Sequence, residues 1–365
     1  MSGIRPVVMP KWGLSMTHGK ITEWLVEVGD RVSDGQDLAE IETDKIAGTL
    51  ESNQDGVLRA IVAEAGRDAP VSGTIAILAE ADTPEDEITA AVAEAREQLE
   101  SGEVAAESGP VVEAVEVGGR RISSAVLGDG TEPVVLVHGY GGDKNSWLFV
   151  QEPLSARASV HAIDLPGHGE SVKDVGDGAL TGLAEVVLGY LDARGLGSAH
   201  LVGHSLGGAV VAQAAATDPG RVSSLTLVAP AGFTTEINAG FLRGMAEAGS
   251  RRELKPHVAQ LFADPEQVTR RLLDDLLKFK RLDGVTDCLR TLQGTLLDAD
   301  DHQAVDTPAL LAKAEVPTAV LWGAADQVLP VPQQHSPQVV DGAGHMLHME
   351  RPNEVVQAVL AHLPG

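Results

Sequence analysis

Residues 199–215, AHLVGHSLGGAVVAQAA, set Ser205 between an apolar run and a stretch of small helix formers, inside Gly203-His204-Ser205-Leu206-Gly207. Glycines on either side permit a strained strand-to-helix turn that lifts a serine hydroxyl into the open at a helix N-terminus. A plain serine cap would account for Ser205 but not for the small residues around it. A nucleophilic serine needs a base, and the base needs an acid to orient it. On such a turn the acid and then the base follow along the chain. Asp326, just beyond the apolar run PTAVLWG, and His345, in GAGHMLHME, are the expected partners. Two competitors are set aside, and an alternative place for the acid is vacant. His348 should face outward from the following turn, Asp341 precedes His345 on the same segment, and APAG, one strand earlier, offers no carboxylate. His138 and His204 flank motifs and are expected to hold loops. The Gly-rich LVHGYGGDKNSW follows the run PVVLV, so the backbone N–H groups of Tyr140 and Leu206 are the expected donors to an oxyanion.

A second chemical feature lies far upstream. EIETDKIAGTLES, residues 40–52, alternates apolar and polar side chains, breaks at Asp44-Lys45-Ile46, and resumes the alternation. Tight hairpins usually place Asn-Gly or Asp-Gly at such a break. The bland reading of Lys45 is a solvated turn residue. The functional reading is one amine displayed on a stiff bend for covalent modification.

The elements that must hold these groups divide the chain. Residues 1–80 read as an all-β unit of short alternating segments separated by Gly and Asp turns. Shifting by 37 positions lays Gly29, Val32, Leu38 and Ile41 over Gly66, Ala69, Ile75 and Leu78, which suggests two similar half-sheets face to face. Residues 81–118 are expected to be an acidic Ala/Glu-rich linker, with nine acids against Arg96 over 81–110 and too little apolar surface to bury. As a coil, those 38 residues would span roughly 35 Å r.m.s.. From 119 to 365 strands and helices alternate, the pattern of a parallel sheet covered on both faces. Apolar runs at 133–137, 160–163, 199–203, 225–229 and 317–322 are the expected strands, and residues 231–305 the expected helical cap.

Bulk composition excludes several classes. With 53 acids against 27 bases the formal charge is −26, which disfavours nucleic acid and anionic membranes. Cys288 is the one cysteine, so neither an internal disulfide nor a cysteine-rich zinc site is available, and no metal is expected. No signal-peptide pattern and no membrane-length apolar run are found, so a cytoplasmic protein is expected.

The stretch VVMPKWGLSMTHGKITEWLVEVGDRVSDGQDLAEIETDKIAG resembles the lipoyl domains of 2-oxo-acid and acetoin dehydrogenase complexes, across residues 4–80. That resemblance implies a biotinyl/lipoyl-like β-sandwich with lipoate in amide linkage on Lys45. Biotin domains flank their lysine with methionines, whereas Asp44 and Ile46 stand here. Residues 119–365, with the elbow, the Gly-rich loop and DLPGHGES, resemble the α/β-hydrolase superfamily. The fusion of the two resembles the dihydrolipoyllysine acetyltransferases of bacterial acetoin dehydrogenase complexes. It implies transfer of an acetyl group from the Lys45 arm to coenzyme A in acetoin catabolism. The implied partners are thiamine-diphosphate-dependent acetoin dehydrogenase subunits and a dihydrolipoyl dehydrogenase.

The chain departs from the wider acyltransferase family. The nearest approach to its H-x-x-x-D-G motif runs from His302 to Asp306 and ends on Thr307, so any transfer must use Ser205. A hydrolase that uses the lipoyl domain only for docking is the alternative, and a non-catalytic scaffold is a third. Coenzyme A phosphates would need bases in an acidic protein. Arg243, Arg251, Arg252 and Lys255 form one candidate cluster and Lys278, Lys280 and Arg281 another. A solvated helix face paired with Glu247, Glu253, Asp274 and Asp275 is the competing reading.

Overall fold

The computed structural model describes residues 3–10, 16, 18–43, 47–52, 54–101 and 109–364; Lys45 and its neighbours Asp44 and Ile46 lie outside them. The chain divides into two compact units, Met1–Gly109 and Pro110–Gly365.

The first unit contains β1 (Ile4–Val8), β2 (His18–Trp24), β3 (Arg31–Val32), β4 (Asp37–Glu42), β5 (Ala47–Glu51), β6 (Gly56–Ile61), β7 (Asp68–Pro70), β8 (Thr74–Ala79) and α1 (Glu85–Ser101). Its strands form two four-stranded sheets, ordered β1-β8-β6-β3 and β5-β4-β2-β7. The 37-residue repeat appears in the hydrogen bonds. Gly29 N–H donates to Leu58 O and Gly66 N–H to Ile21 O, each at 2.7 Å, and both glycines take positive φ (105° and 87°). Each half does not, however, form its own sheet as expected. Shifted by 37 residues, β2, β3 and β4 fall on β6, β7 and β8, and equivalent strands lie in opposite sheets. The halves interleave, so neither can complete a sheet alone.

The expected linker is largely built into the two units. Ile88 and Ala95 of α1 are buried, with Ala91, Val92 and Leu99 beside them, against Ala60, Val62, Ile77 and Ala79 of the first unit. These five apolar residues recur at helical spacing and make one stripe. The expectation counted acids and missed the stripe. Arg59 ties the helix start, pairing with Glu85 at 2.8 Å and donating to Thr83 O at 3.2 Å. The far end of the supposed linker, β9 (Val111–Val117), belongs to the second unit, where it pairs antiparallel with β10 (Arg120–Leu127).

In order, the second unit continues with β11 (Glu132–Val137), α2 (Leu148–Ser155), β12 (Ala158–Ile163), α3 (Leu180–Ala193), β13 (Ala199–His204), α4 (Leu206–Thr217) and β14 (Val222–Val228). Four cap helices follow, α5 (Ala239–Glu247), α6 (Arg251–Val258), α7 (Arg270–Lys280) and α8 (Val285–Leu296). The chain then returns through α9 (Thr307–Ala314), β15 (Thr318–Gly323), β16 (Gln338–Val340), α10 (Leu347–Glu350) and α11 (Pro352–Leu360). The eight-stranded sheet has the order β16-β15-β14-β13-β11-β12-β10-β9. From β12 to β16 the strands run parallel. They are apolar on both faces because both are covered. Val135 and Val137 join the core that includes Leu183, Tyr190 and Val210, while Val134 and Leu136 join the one with Leu154, Val355 and Val359. After β11 the chain crosses to β12 on one side and returns to β13 on the other. This reversal leaves a crevice at the carboxyl ends of β11 and β13, where doubly wound sheets bind ligands.

Candidate active site

Ser205 stands in that crevice, immediately after β13 and before α4, with φ 52° and ψ −117°. Such a backbone costs of order 1–3 kcal/mol and persists only where its surroundings hold it. Here the Ser205 N–H donates to Val228 O at 3.0 Å, and its carbonyl accepts from Gly208 and Ala231, each at 3.0 Å. Two glycines explain the small flanks. A Cβ on Gly207 would collide with the carbonyl oxygens of Val137 and His138, and one on Gly139 would lie 3.0 Å from Ser205 Cβ. The elbow and the Gly-rich loop after β11 therefore lie against each other.

The expected acid and base come from the loops after β15 and β16. His345 Nδ1 donates to Asp326 Oδ2 at 2.8 Å, and both side chains are buried. Asp326 Oδ1 accepts the N–H groups of Val328 and Leu329 at 2.8 and 2.9 Å, which fixes the carboxylate plane. With Nδ1 committed, Nε2 of His345 is the nitrogen left to take a proton. The His345 carbonyl accepts from His204 Nε2 at 2.9 Å, tying His345 to the residue before Ser205. Burial drives the His204 pKa well below the ordinary imidazole value, so that ring works as a neutral strut.

The Gly-rich loop after β11 is held by two more histidines. His138 Nδ1 donates to Gly139 O at 2.8 Å while its Nε2 accepts the Leu165 N–H at 3.0 Å. His168 Nδ1 donates to Pro166 O, and its Nε2 accepts the Gly141 N–H at 3.1 Å. Gly142 N–H closes the turn onto Gly139 O. Gly141 and Gly142 are thereby committed, which leaves Tyr140 to offer the N–H of this turn. Leu206, first in α4, has no acceptor within its own helix. Below the loop, Lys144 is buried with Asp164 at 2.8 Å, and Asp164 also accepts the backbone N–H groups of Lys144 and Glu170.

The other sequence-level candidates fall elsewhere. His348 does not face outward. In the first turn of α10 it is fully buried, its ring 4.4 Å from Trp147 and 4.5 Å from His204, and burial lowers its pKa to about 3. Asp341 is exposed at the end of β16. His302 is exposed, while Asp306 caps α9 through the Ala309 N–H, so the two make no site. Among the cap bases, Arg243 pairs with Asp301, Arg251 with Asp274 at 3.3 Å and Lys278 with Asp275 at 2.9 Å; Lys280 donates to Met245 O. Arg252, Lys255 and Arg281 are exposed and make no ion pair among the described residues. Glu350 escaped the sequence reading. Its carboxylate accepts Ala263 N–H at 2.7 Å and Gly344 N–H at 2.8 Å, clipping the His345 loop to the cap. Among the described residues there is no cluster of three His, Cys, Asp or Glu fit for a metal. No helix among them is long and apolar enough to cross a membrane.

Fold and site together define an α/β-hydrolase-fold protein with a domain of the biotinyl/lipoyl type at its N-terminus. Family models match both parts: residues 132–352 match the alpha/beta hydrolase fold, and residues 5–78 a family described as "Biotin-requiring enzyme". The chain is 43% identical to the dihydrolipoyllysine-residue acetyltransferase component of the acetoin cleaving system of Pseudomonas putida, over 100% of this chain and 99% of that protein. It is 40% identical to the component of the same name from Cupriavidus necator, over 99% and 98%. Among solved structures it is similar to a membrane phospholipase A, with a TM-score of 0.60 and 26% identity over 75% of this chain and 91% of that one. The chain belongs to the family of dihydrolipoyllysine-residue acetyltransferase components of acetoin cleaving systems.

Proposed function

We propose that the chain is the acetyltransferase of an acetoin cleaving system and that Ser205, His345 and Asp326 perform the transfer to coenzyme A. The pairing of His345 with Asp326 beside a strained Ser205 elbow, in a chain with a fused lipoyl-type domain, is the observation that carries this reading. Lys45 would hold lipoate in amide linkage. The antiparallel pairing of β4 with β5 fits that role, since Glu42 pairs with Ala47 and Lys45 lies between them in sequence. When bound, lipoate supplies a dithiol that carries acetyl as a thioester.

Ser205 Oγ attacks the carbonyl carbon of the acetyl thioester as His345 Nε2 takes its proton. The N–H groups of Tyr140 and Leu206 hold the resulting oxyanion, and donors of this kind, removed singly, cost about 10²–10³ in rate. His345 then protonates the departing sulfur, leaving acetyl on Ser205. The coenzyme A thiol gives its proton to His345 and attacks the acetyl-serine. Ser205 recovers the proton as acetyl-coenzyme A leaves. Of the two basic clusters, Arg252 with Lys255 and Arg281 remain candidates for the phosphates. The thiamine-diphosphate-dependent acetoin dehydrogenase subunits and the dihydrolipoyl dehydrogenase are the proposed partners, acting before and after this step.

Incubating the protein with acetyl-dihydrolipoamide and coenzyme A tests the reading. Acetyl-coenzyme A should form with wild type and not with Ser205→Ala. Acetate in place of acetyl-coenzyme A would make the protein a hydrolase that uses its lipoyl domain for docking.

A further inference from the structure

The cap is fastened to three loops of the site. Asn238, ahead of α5, donates its N–H to Val328 O at 2.9 Å and its side-chain amide to Gln327 O at 3.1 Å, beside Asp326. Met346 N–H donates to Leu261 O at 3.0 Å, and Glu350 bridges Ala263 to Gly344, beside His345. The third fastening runs through a side chain. The Tyr140 hydroxyl donates to Leu289 O in α8 at 3.0 Å and lies 3.4 Å from Leu242 O in α5. Each helical carbonyl has a second lone pair free for such a bond. Next to Tyr140, a Cβ on Gly141 would sit 3.3 Å from Met245 Cε of α5. His168, which holds the Gly141 N–H, stacks on Phe279 of α7 at 6.5 Å between ring centroids.

We infer that the Tyr140 phenol is a positioning group, anchored to two cap helices, that sets the direction of its own backbone N–H at the oxyanion site. Tyr140 is 7% exposed, and burial raises the phenol pKa well above its ordinary value, so the hydroxyl remains a donor throughout the working range. A shift of α5 or α8 pulls on the phenol, and the phenol turns the residue whose N–H faces the acyl oxygen. The reactive geometry is then complete only with the cap seated, which is also when water is excluded. This inference rests on the proposed use of Ser205 and Tyr140, and the test separates the two.

Acylation of the enzyme by p-nitrophenyl acetate in single turnovers, with the site identified by peptide mass, reads the first half-reaction without coenzyme A. Wild type acylated at Ser205 supports the site. Wild type not acylated there overturns both readings. Tyr140→Phe keeps the ring and removes the hydroxyl. The maximal acylation rate should fall about tenfold, less than the 10²–10³ for deleting a donor outright. The half-saturating ester concentration should stay within twofold, and affinity for a small alkylboronic acid, which mimics the oxyanion, should weaken by the same factor as the rate. An unchanged rate, or a loss confined to ester affinity, would show that the phenol only fills space. Should that variant not fold, 3-fluorotyrosine labelling remains decisive, since Tyr140 and Tyr190 are the two tyrosines. The Tyr140 fluorine resonance should move on boronic acid binding, and a resonance that stays fixed overturns the coupling.

Discussion

His204 donates from Nε2 to the carbonyl oxygen of His345 at 2.9 Å, so the residue before Ser205 props up the histidine proposed as its base. Their rings also pack, with centroids 4.7 Å apart. Replacing His204 by Phe keeps the ring and strands a buried carbonyl, a loss of about 1–3 kcal/mol. Turnover should drop about tenfold with little change in KM for the acyl donor, and the unfolding midpoint should fall. An increase in KM alone would place His204 in substrate binding instead.

Asp326 leaves no room for an amide. One oxygen accepts two backbone N–H groups and the other accepts His345 Nδ1–H, so all three contacts point donors at the carboxylate. Asn must aim its NH₂ at one set, and the relief is for His345 to move its proton to Nε2, where it cannot act as a base. Asp326→Asn should therefore lose about 10³–10⁴ in transfer rate while remaining folded. Retention of a tenth of the wild-type rate would remove Asp326 from the mechanism.

Ser205→Ala, His345→Ala and the double variant should lose similar rates, because groups that act as one unit are not additive. Losses that multiply would mean that the two residues serve separate steps.

Acid should loosen the second unit. Burial lowers the imidazole pKa of His168 and His348 to about 3, against an ordinary value of 6.5. Between those pH values the unfolded chain binds more protons than the folded one. The contribution of these histidines is full above pH 6.5 and declines as pH falls, by about 1.4 kcal/mol per pH unit for each. Among the described residues, neither nitrogen of His348 has a hydrogen-bond partner. His348→Phe should flatten the acid limb by one histidine's share, read as denaturant midpoints by tryptophan fluorescence. An unchanged slope would refute the assignment.

Charge reversal at Arg252 with Lys255, and separately at Arg281, should raise KM for coenzyme A about tenfold in at least one case. The shorter thiol pantetheine, which lacks the nucleotide phosphates, should be unaffected. If both thiols respond alike, or neither does, the basic cap is only surface.

Much of the fold was legible because its signals are local. The apolar runs became β11 to β15, and the Gly-x-Ser-x-Gly elbow stands where strand meets helix. Other features depend on contacts distant in sequence. Glu350 is tied to Ala263, His168 to Gly141 and Tyr140 to Leu289, and nothing near any of them announces the partner. β9 was missed because it is a largely exposed edge strand, Val111 and Val112 included, and its acids read as a continuation of the acidic run before it. His348 was misplaced because the turn of α10 that carries it inward is set by packing on Trp147.

The 37-residue repeat is broken where α1 lies down. Ala60, Val62, Ile77 and Ala79 under the helix correspond to Glu23, Leu25, Glu40 and Glu42 in the other sheet. A duplicated module with two equivalent faces has thus been given a back and a front. The back is interior, closed by the chain on its way out of the module. The front keeps the charges, and β4 and β5, which flank Lys45, belong to it. A fragment ending at residue 80 would bare the apolar back and bring a false, sticky surface into any measurement of how partners meet the front.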